Sequence, residues 1–497
     1  MKHMKKLAAV LVSVLMSFAM MTTVFADNAV PTYTLTLKGT TDGHTYEAYQ
    51  IFTGDLSTEG GKKVLSNVKW GTGVTYKETE SAVAVAKALG DGDMTLAQLE
   101  DNLTLTEPVK TVTSSKGSTV IDGLAAGYYL VKDKDGSQKD SSDAYTKFIV
   151  QIVGDTNAEI KSGVPTVVKK VKDTNDSTGE TSEWQDSADA DINDDVQYQI
   201  TGTMPANITD YTSYKYVFTD TMSKGLTYTA NNAKIKIGDT DVTGSFKEAV
   251  TPKDGSTVVT WTCDNLKDIK GVTLNKDTKV VVTYSAKLNE NAVIGAGGNP
   301  NTVNLTYSNN PNKGGDGETG KTPDDKNIVF TYKTVVNKVD EKQDSLAGAA
   351  FKLEKKVKSS DGTDNYEYKV VKSFTADDKT STFTFTGLDD GDYKLTETTT
   401  PAGYNTISPI EFTISASHEK DSADPKLIEL SGNAKNGEAT FTPKTDDGSL
   451  TTSVVNKKGA TLPSTGGIGT TMFYVAGGLM VVVAGVLLAA KKKAEAK

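Results

Sequence analysis

Arginine is absent from the 497 residues, so all 54 basic side chains are lysines. Cysteine occurs once, at Cys263, and histidine three times. A single cysteine excludes an intramolecular disulfide, and so sparse a Cys/His set argues against a zinc site. The 64 acids outnumber the lysines, for a formal net charge of −10. Without arginine forks or a basic excess, nucleic acid is not an expected partner. No glycine-rich phosphate loop follows a strand, and no Ser/His/Asp set stands out. Asp133-Lys134-Asp135-Gly136 and Asp173-Thr174-Asn175 resemble fragments of calcium loops. The glycine is misplaced for an EF-hand, and no closing glutamate fits. No metal centre and no cofactor are therefore expected.

What is present begins with two apolar runs, one at each end. Lys2, Lys5 and Lys6 precede an apolar run from Leu7 to Met21, and Val24-Phe25-Ala26 supplies small residues for cleavage. Residues 1–26 read as a secretory signal cut after Ala26. Near the other end, Leu462 to Gly466 spell LPSTG. Ile468 to Ala490 is a 23-residue uncharged stretch, long enough to span a bilayer. Lys491, Lys492 and Lys493 then hold a cytoplasmic tail, 491–497. Removing three lysines with the signal, and four lysines and one glutamate after Gly466, leaves 47 lysines against 63 acids. The exported part thus carries −16, as suits a solvated extracellular surface.

Between the ends the chain alternates in short segments rich in Thr, Val and Tyr. Thr32–Leu37, Lys279–Tyr284 and Ser381–Phe385 are examples. Period-2 patterning with frequent turn residues predicts an all-β fold of tandem sandwiches. Helices are expected only at Glu80 to Leu89 and in the following TLAQLEDNL. Breaks at Lys161–Pro165 and in the polar run Asn309–Lys326 divide the middle into 27–163, 164–325 and 326–459. Gly123–Val131 (GLAAGYYLV) echoes Gly387–Leu395 (GLDDGDYKL), so the first and third domains are expected to share a topology.

These segments carry a resemblance. LPSTG, an uncharged span and a basic tail resemble the wall-sorting signal of Gram-positive surface proteins. That resemblance implies cleavage by a sortase between Thr465 and Gly466. Leu395–Tyr404 (LTETTTPAGY) resembles the E-box of Cna B-type domains, with VVNKVDEKQDSLAGAAFKL upstream and TSVVNKKG downstream. The resemblance implies an intramolecular isopeptide bond between Lys338 and Asn456, with Glu397 as the catalytic acid. Burial lowers a lysine pKa and raises that of a carboxyl, so the pair can exist as neutral amine and acid. In the middle domain, strand parity turns Lys169 inward and Lys170 outward. The same parity turns Asn301 inward, with Asn304 as a second choice. With Asp220 as the acid, this set resembles Cna A-type pilin domains. In the first domain the echo aligns Asp133 with Glu397 and Lys38 with Lys338. No partner amide stands out there, and Asn157 is the one candidate.

Polymerisation needs an exposed amine between domains. Glu159–Pro165 resembles the pilin motif of shaft pilins, with Lys161 as the linking lysine, although Ile160 replaces the family's proline. Lys147 and Lys170 are alternatives. The whole pattern resembles the major shaft subunit of a sortase-assembled pilus, immunoglobulin-like in fold and no enzyme. Thr465 of one subunit would join Lys161 of the next in an open, head-to-tail filament. The implied partners are sortase, identical subunits, minor pilins and peptidoglycan, and the implied location is the cell wall. The competing reading is a monomeric wall-anchored adhesin, whose partner would be a host receptor.

Overall fold

The computed structural model describes residues 30–59, 62–94, 96–115, 117–137, 143–160, 163–315, 317–359, 365–435, 439–459 and 468–494. The expected signal, Lys161 and the LPSTG motif with Thr465 and Gly466 lie outside the described residues. The described chain is almost entirely β, built around separate apolar cores.

The first unit packs a three-stranded sheet against a larger one. Strand Thr32–Lys38 lies between Thr156–Glu159, parallel to it, and Ser118–Ala125, antiparallel. The second sheet runs Lys62–Trp70, Thr45–Glu59, Gly127–Asp133 and Lys147–Ile152. Both expected helices are present, as Ala82–Asp91 and Leu96–Asn102. The first is capped by the Ser81 hydroxyl, which accepts from the Ala84 amide, and it ends at Gly92 in the left-handed region.

The second unit is a larger sandwich. One sheet orders Val167–Val171, Asp195–Thr203, Lys279–Leu288 and Lys234–Ile237. The facing sheet orders Ser187–Asp189, Asp325–Phe330, Asn299–Ser308, Tyr216–Met222, Ser256–Cys263 and Lys247–Lys253. The run Asn309–Lys326, expected to be a surface loop or linker, is largely folded onto this unit. Asn310 is buried, Thr319–Lys321 pairs with Asn299–Ser308, and Asp325–Phe330 is an integral strand. The Asn309 carbonyl accepts from Tyr145 N of the first unit at 2.8 Å. Side-chain amides and short turns satisfy this backbone, which composition alone reads as loop.

The third unit repeats the first in outline. Tyr332–Val339 lies between Ser449–Val455, parallel, and Thr382–Leu388, antiparallel. The facing sheet orders Tyr366–Ser373, Ala350–Lys358, Gly391–Thr399, Ile410–His418 and Leu427–Ala434. The echoed segments are matching crossings from one sheet to the other, Ser118–Ala125 to Gly127–Asp133 and Thr382–Leu388 to Gly391–Thr399. Gly123 and Gly387 both take positive φ, 69° and 76°, where a side chain would be strained. Two residues into each returning strand, a buried tyrosine bonds back to the turn. Tyr129 OH donates to Ala125 O at 2.8 Å, and Tyr393 OH to Asp389 O at 3.1 Å.

A helix, Ile468–Ala494, follows the LPSTG motif in the chain. Side chains are described for residues 475–488, and Val475, Leu479–Val483 and Val486–Leu488 are exposed. Among the described residues, no helix is long and apolar enough to cross a membrane. Within the expected span, 468–490, the side chains of 468–474, 489 and 490 lie outside the described ones.

Candidate functional site: two buried lysine clusters

In the second unit, alternation in Val167–Val171 turns Lys169 into the core and leaves Lys170 half-buried. Asp220 lies on Tyr216–Met222 and Asn301 on Asn299–Ser308, and both face the same core. Lys169, Asp220 and Asn301 are all 0% exposed. Lys169 Nζ donates to Asp220 Oδ1 and to Tyr284 OH, each at 2.5 Å. Tyr284 OH donates to Asp220 Oδ2 at 2.6 Å and accepts from Asn301 Nδ2 at 2.9 Å. Asn301 Oδ1 has no partner, so the amide oxygen is free to receive a proton. Burial pulls the Lys169 amine below its ordinary pKa, against the opposing pull of Asp220. The rings of Tyr198 and Tyr284 stack at 5.2 Å and line the amine with aromatic faces. Asn304, the second choice, is bonded instead to Asp324 at 3.0 Å.

Sequence reasoning missed Tyr284. Its inward parity within Lys279–Leu288 is readable, but its meeting with Asp220 depends on how the two sheets face each other. Asn327 was also missed. It is fully buried, has no partner on either amide atom, and lies opposite Asn301 in the sheet.

In the third unit, Lys338 on Tyr332–Val339 and Asn456, just after Ser449–Val455, come from the adjacent first and last strands. Lys338 is 0% exposed, and its Nζ donates to the carbonyls of Val454 at 2.9 Å and Val339 at 3.2 Å. Burial lowers its pKa to about 8, opposed by the charges of Glu397 and Asp340. Glu397 Oε2 accepts from Asn456 Nδ2 at 3.1 Å, from Thr400 Oγ1 at 3.0 Å and from the Ile407 amide at 3.3 Å. Glu397 Oε1 and Asn456 Oδ1 are buried without partners. The turn after the E-box thus fixes the carboxyl, with Asn405 O also holding the Asn456 amide at 3.0 Å.

Among its described residues the first unit holds no such set. Lys38 and Asn157 are exposed. Gly39 takes the register of Lys338, since its amide donates to Gly117 O as that of Lys338 does to Ser381 O. Asp133 is buried but bonds His44 Nδ1 at 3.0 Å. The alternative linking lysines are also engaged. Lys147 is buried against Glu100 and Pro311 O, and Lys170 bonds Asp186.

Comparison with known proteins assigns the chain. Residues 192–311 match the family model of the Gram-positive pilin backbone subunit 2, a Cna-B-like domain. Residues 333–426 match a prealbumin-like fold domain, and 454–497 match the LPXTG cell wall anchor motif. The trypsin-resistant surface T6 protein of Streptococcus pyogenes is 26% identical over 403 residues, covering 67% of this chain and 70% of that one. The chain is a Gram-positive backbone pilin. It is a structural subunit of a pilus shaft, attached to the cell wall through the anchor motif. The fold agrees. The solved T6 backbone pilin of S. pyogenes serotype M6, described as a modular three-domain structure, aligns over 87% of this pilin and all of its own chain, with a TM-score of 0.51 at 18% identity. The major pilin SpaD of Corynebacterium diphtheriae aligns over 87% of this chain and 98% of its own, with a TM-score of 0.45 at 20% identity.

Proposed function

We propose that this backbone pilin is covalently linked at two levels. Within each subunit, Lys169 joins Asn301 and Lys338 joins Asn456 by isopeptide bonds formed without an enzyme. Between subunits, sortase joins Thr465 to Lys161 of the next chain. The observation that carries the first level is the sealed contact of Lys169 with Asp220 and with the Tyr284 hydroxyl that holds Asn301.

The chemistry balances as a transamidation. Lys169 passes a proton to Asp220, and the neutral amine attacks the Asn301 side-chain carbonyl. The C–Nδ2 bond then breaks as the acid gives its proton to the leaving nitrogen, the carboxylate takes up the second proton of the attacking nitrogen, and ammonia departs. Glu397 takes the same part for Lys338 and Asn456. Fixed geometry replaces an external catalyst, since well-oriented groups reach effective molarities of about 10⁵–10⁸ M. The resulting links close loops of about 130 and 120 residues, each worth roughly 5 kcal/mol in the loop-entropy model. Unlike disulfides they survive reduction, which suits a chain with one cysteine.

For the intersubunit bond, Lys161 is favoured over Lys147 because Lys147 is buried and paired. The test is SDS electrophoresis of boiled wall extracts. A ladder of high-mass bands that Lys161→Ala abolishes supports the linkage. A ladder that survives the substitution removes Lys161 from it, and a single monomer band points to the adhesin reading.

A further inference from the structure

Two acidic clusters meet where the second and third units abut. In one, Asp176, Asp191, Asp194 and Asp389 bring ligand atoms within 4.8 Å of one another. That cluster has its own cation, because Lys355 Nζ bonds Asp389 and also Asp191 at 2.6 Å. The other joins Asp173 and Asp189 of the second unit to His418 of the third, again with ligand atoms within 4.8 Å. No lysine is bonded to Asp173, Asp189 or His418 among the described residues.

The hydrogen bonds around this second cluster point to a missing ligand. Ser187 Oγ lies 2.6 Å from Glu419 O and must donate its one proton there, since a carbonyl only accepts. Ser187 Oγ therefore accepts from His418 Nδ1–H, also at 2.6 Å. That leaves Nε2 as the coordinating nitrogen of a neutral imidazole, turned toward Asp173 Oδ2 at 3.4 Å. This separation is too long for a good hydrogen bond. Asp189 is 4% exposed, and its Oδ2 has no partner. Histidine held by a hydroxyl on its far nitrogen is a common metal-ligand arrangement.

We propose that Asp173, Asp189 and His418 bind a divalent transition cation of the zinc or manganese class, clamping the second unit to the third. Two carboxylates and an imidazole suit such ions better than calcium, which prefers oxygen alone. Ligand bonds of about 2.0–2.2 Å need the donors drawn closer than they stand. Asp173 can supply that movement, since its side chain remains 16% exposed. The sparse histidines counted against a metal on composition. The fold changes that by bringing His418 across the junction to Asp189 and Asp173, 229 and 245 positions earlier in the chain.

The test uses the full chain stripped with chelator, titrated with Zn²⁺ and Mn²⁺ in a calorimeter, with Ca²⁺ as comparator. One equivalent of Zn²⁺ or Mn²⁺ should bind, and His418→Ala should weaken it about 100-fold or more. Asp189→Asn, nearly isosteric, should weaken it as well while leaving the circular dichroism spectrum unchanged. Absence of binding to the wild type overturns the site. So does binding that both variants retain, or binding of Ca²⁺ alone.

Discussion

The first and third units share a strand order, a glycine-containing crossing between their two sheets and a tyrosine that bonds back to the turn. They differ at the positions that could react. Where the third has Lys338 and Glu397, the first has Gly39 and Asp133, and a histidine holds the aspartate. A sandwich of this topology therefore does not need the cluster to fold. The lysine, acid and amide are an addition to that topology, and it is their desolvation that the proposed bond formation rests on.

The largest effect expected is on the second unit, where the cluster is fully sealed. Asp220→Ala removes the proton acceptor, so the bond should not form and Lys169 is left buried without its counter-charge. Calorimetry should show the middle transition shifted far down or lost, while the third unit's transition stays. Next is Glu397→Ala, which should leave the third unit unbonded and destabilised by roughly 5 kcal/mol. Trypsin should then cut that unit while sparing the second. A transition unchanged in this variant would break the contrast between the first and third units.

Acidity sharpens the comparison more finely. In Asn456→Ala, Lys338 stays a free amine with a folded pKa of about 8, below its ordinary 10.5. The unfolded chain then binds more protons between those values, so stability should rise as pH climbs from about 8 to about 10.5. Below pH 8 the difference between the states is constant. Urea midpoints that are flat or falling over that window would contradict the burial account of Lys338. The smallest effect concerns Tyr284→Phe. It removes one hydroxyl that links Asp220 to Asn301, and should slow closure of the second bond without preventing it. Time-resolved mass spectrometry during refolding would read this.

Much of this was legible in the sequence, for identifiable reasons. Period-2 alternation put Lys169 inside and Lys170 outside, and the structure buries the first and half-exposes the second. The echo was readable because Gly123 and Gly387 take positive φ. The echo misled over Lys38, because aligning one sheet-to-sheet crossing does not fix the register of the strand beside it. Gly39 holds the Lys338 register, and Lys38 points to solvent. Tyr284, and the meeting of His418 with Asp189, depend on contacts between sheets and between units, which no local period encodes. Asn309–Lys326 shows the same limit, since its Asn and Gly residues are as suited to a folded crossing as to a loop.

The most direct test is the intact mass of the mature, unpolymerised protein, measured beside Asp220→Ala, Glu397→Ala and Lys38→Ala. The account predicts that the wild type has lost two molecules of ammonia, that each acid variant has lost one, and that Lys38→Ala still lacks two. A wild-type mass with no loss would contradict the buried clusters as reactive sites, and a loss of three would contradict the contrast with the first unit.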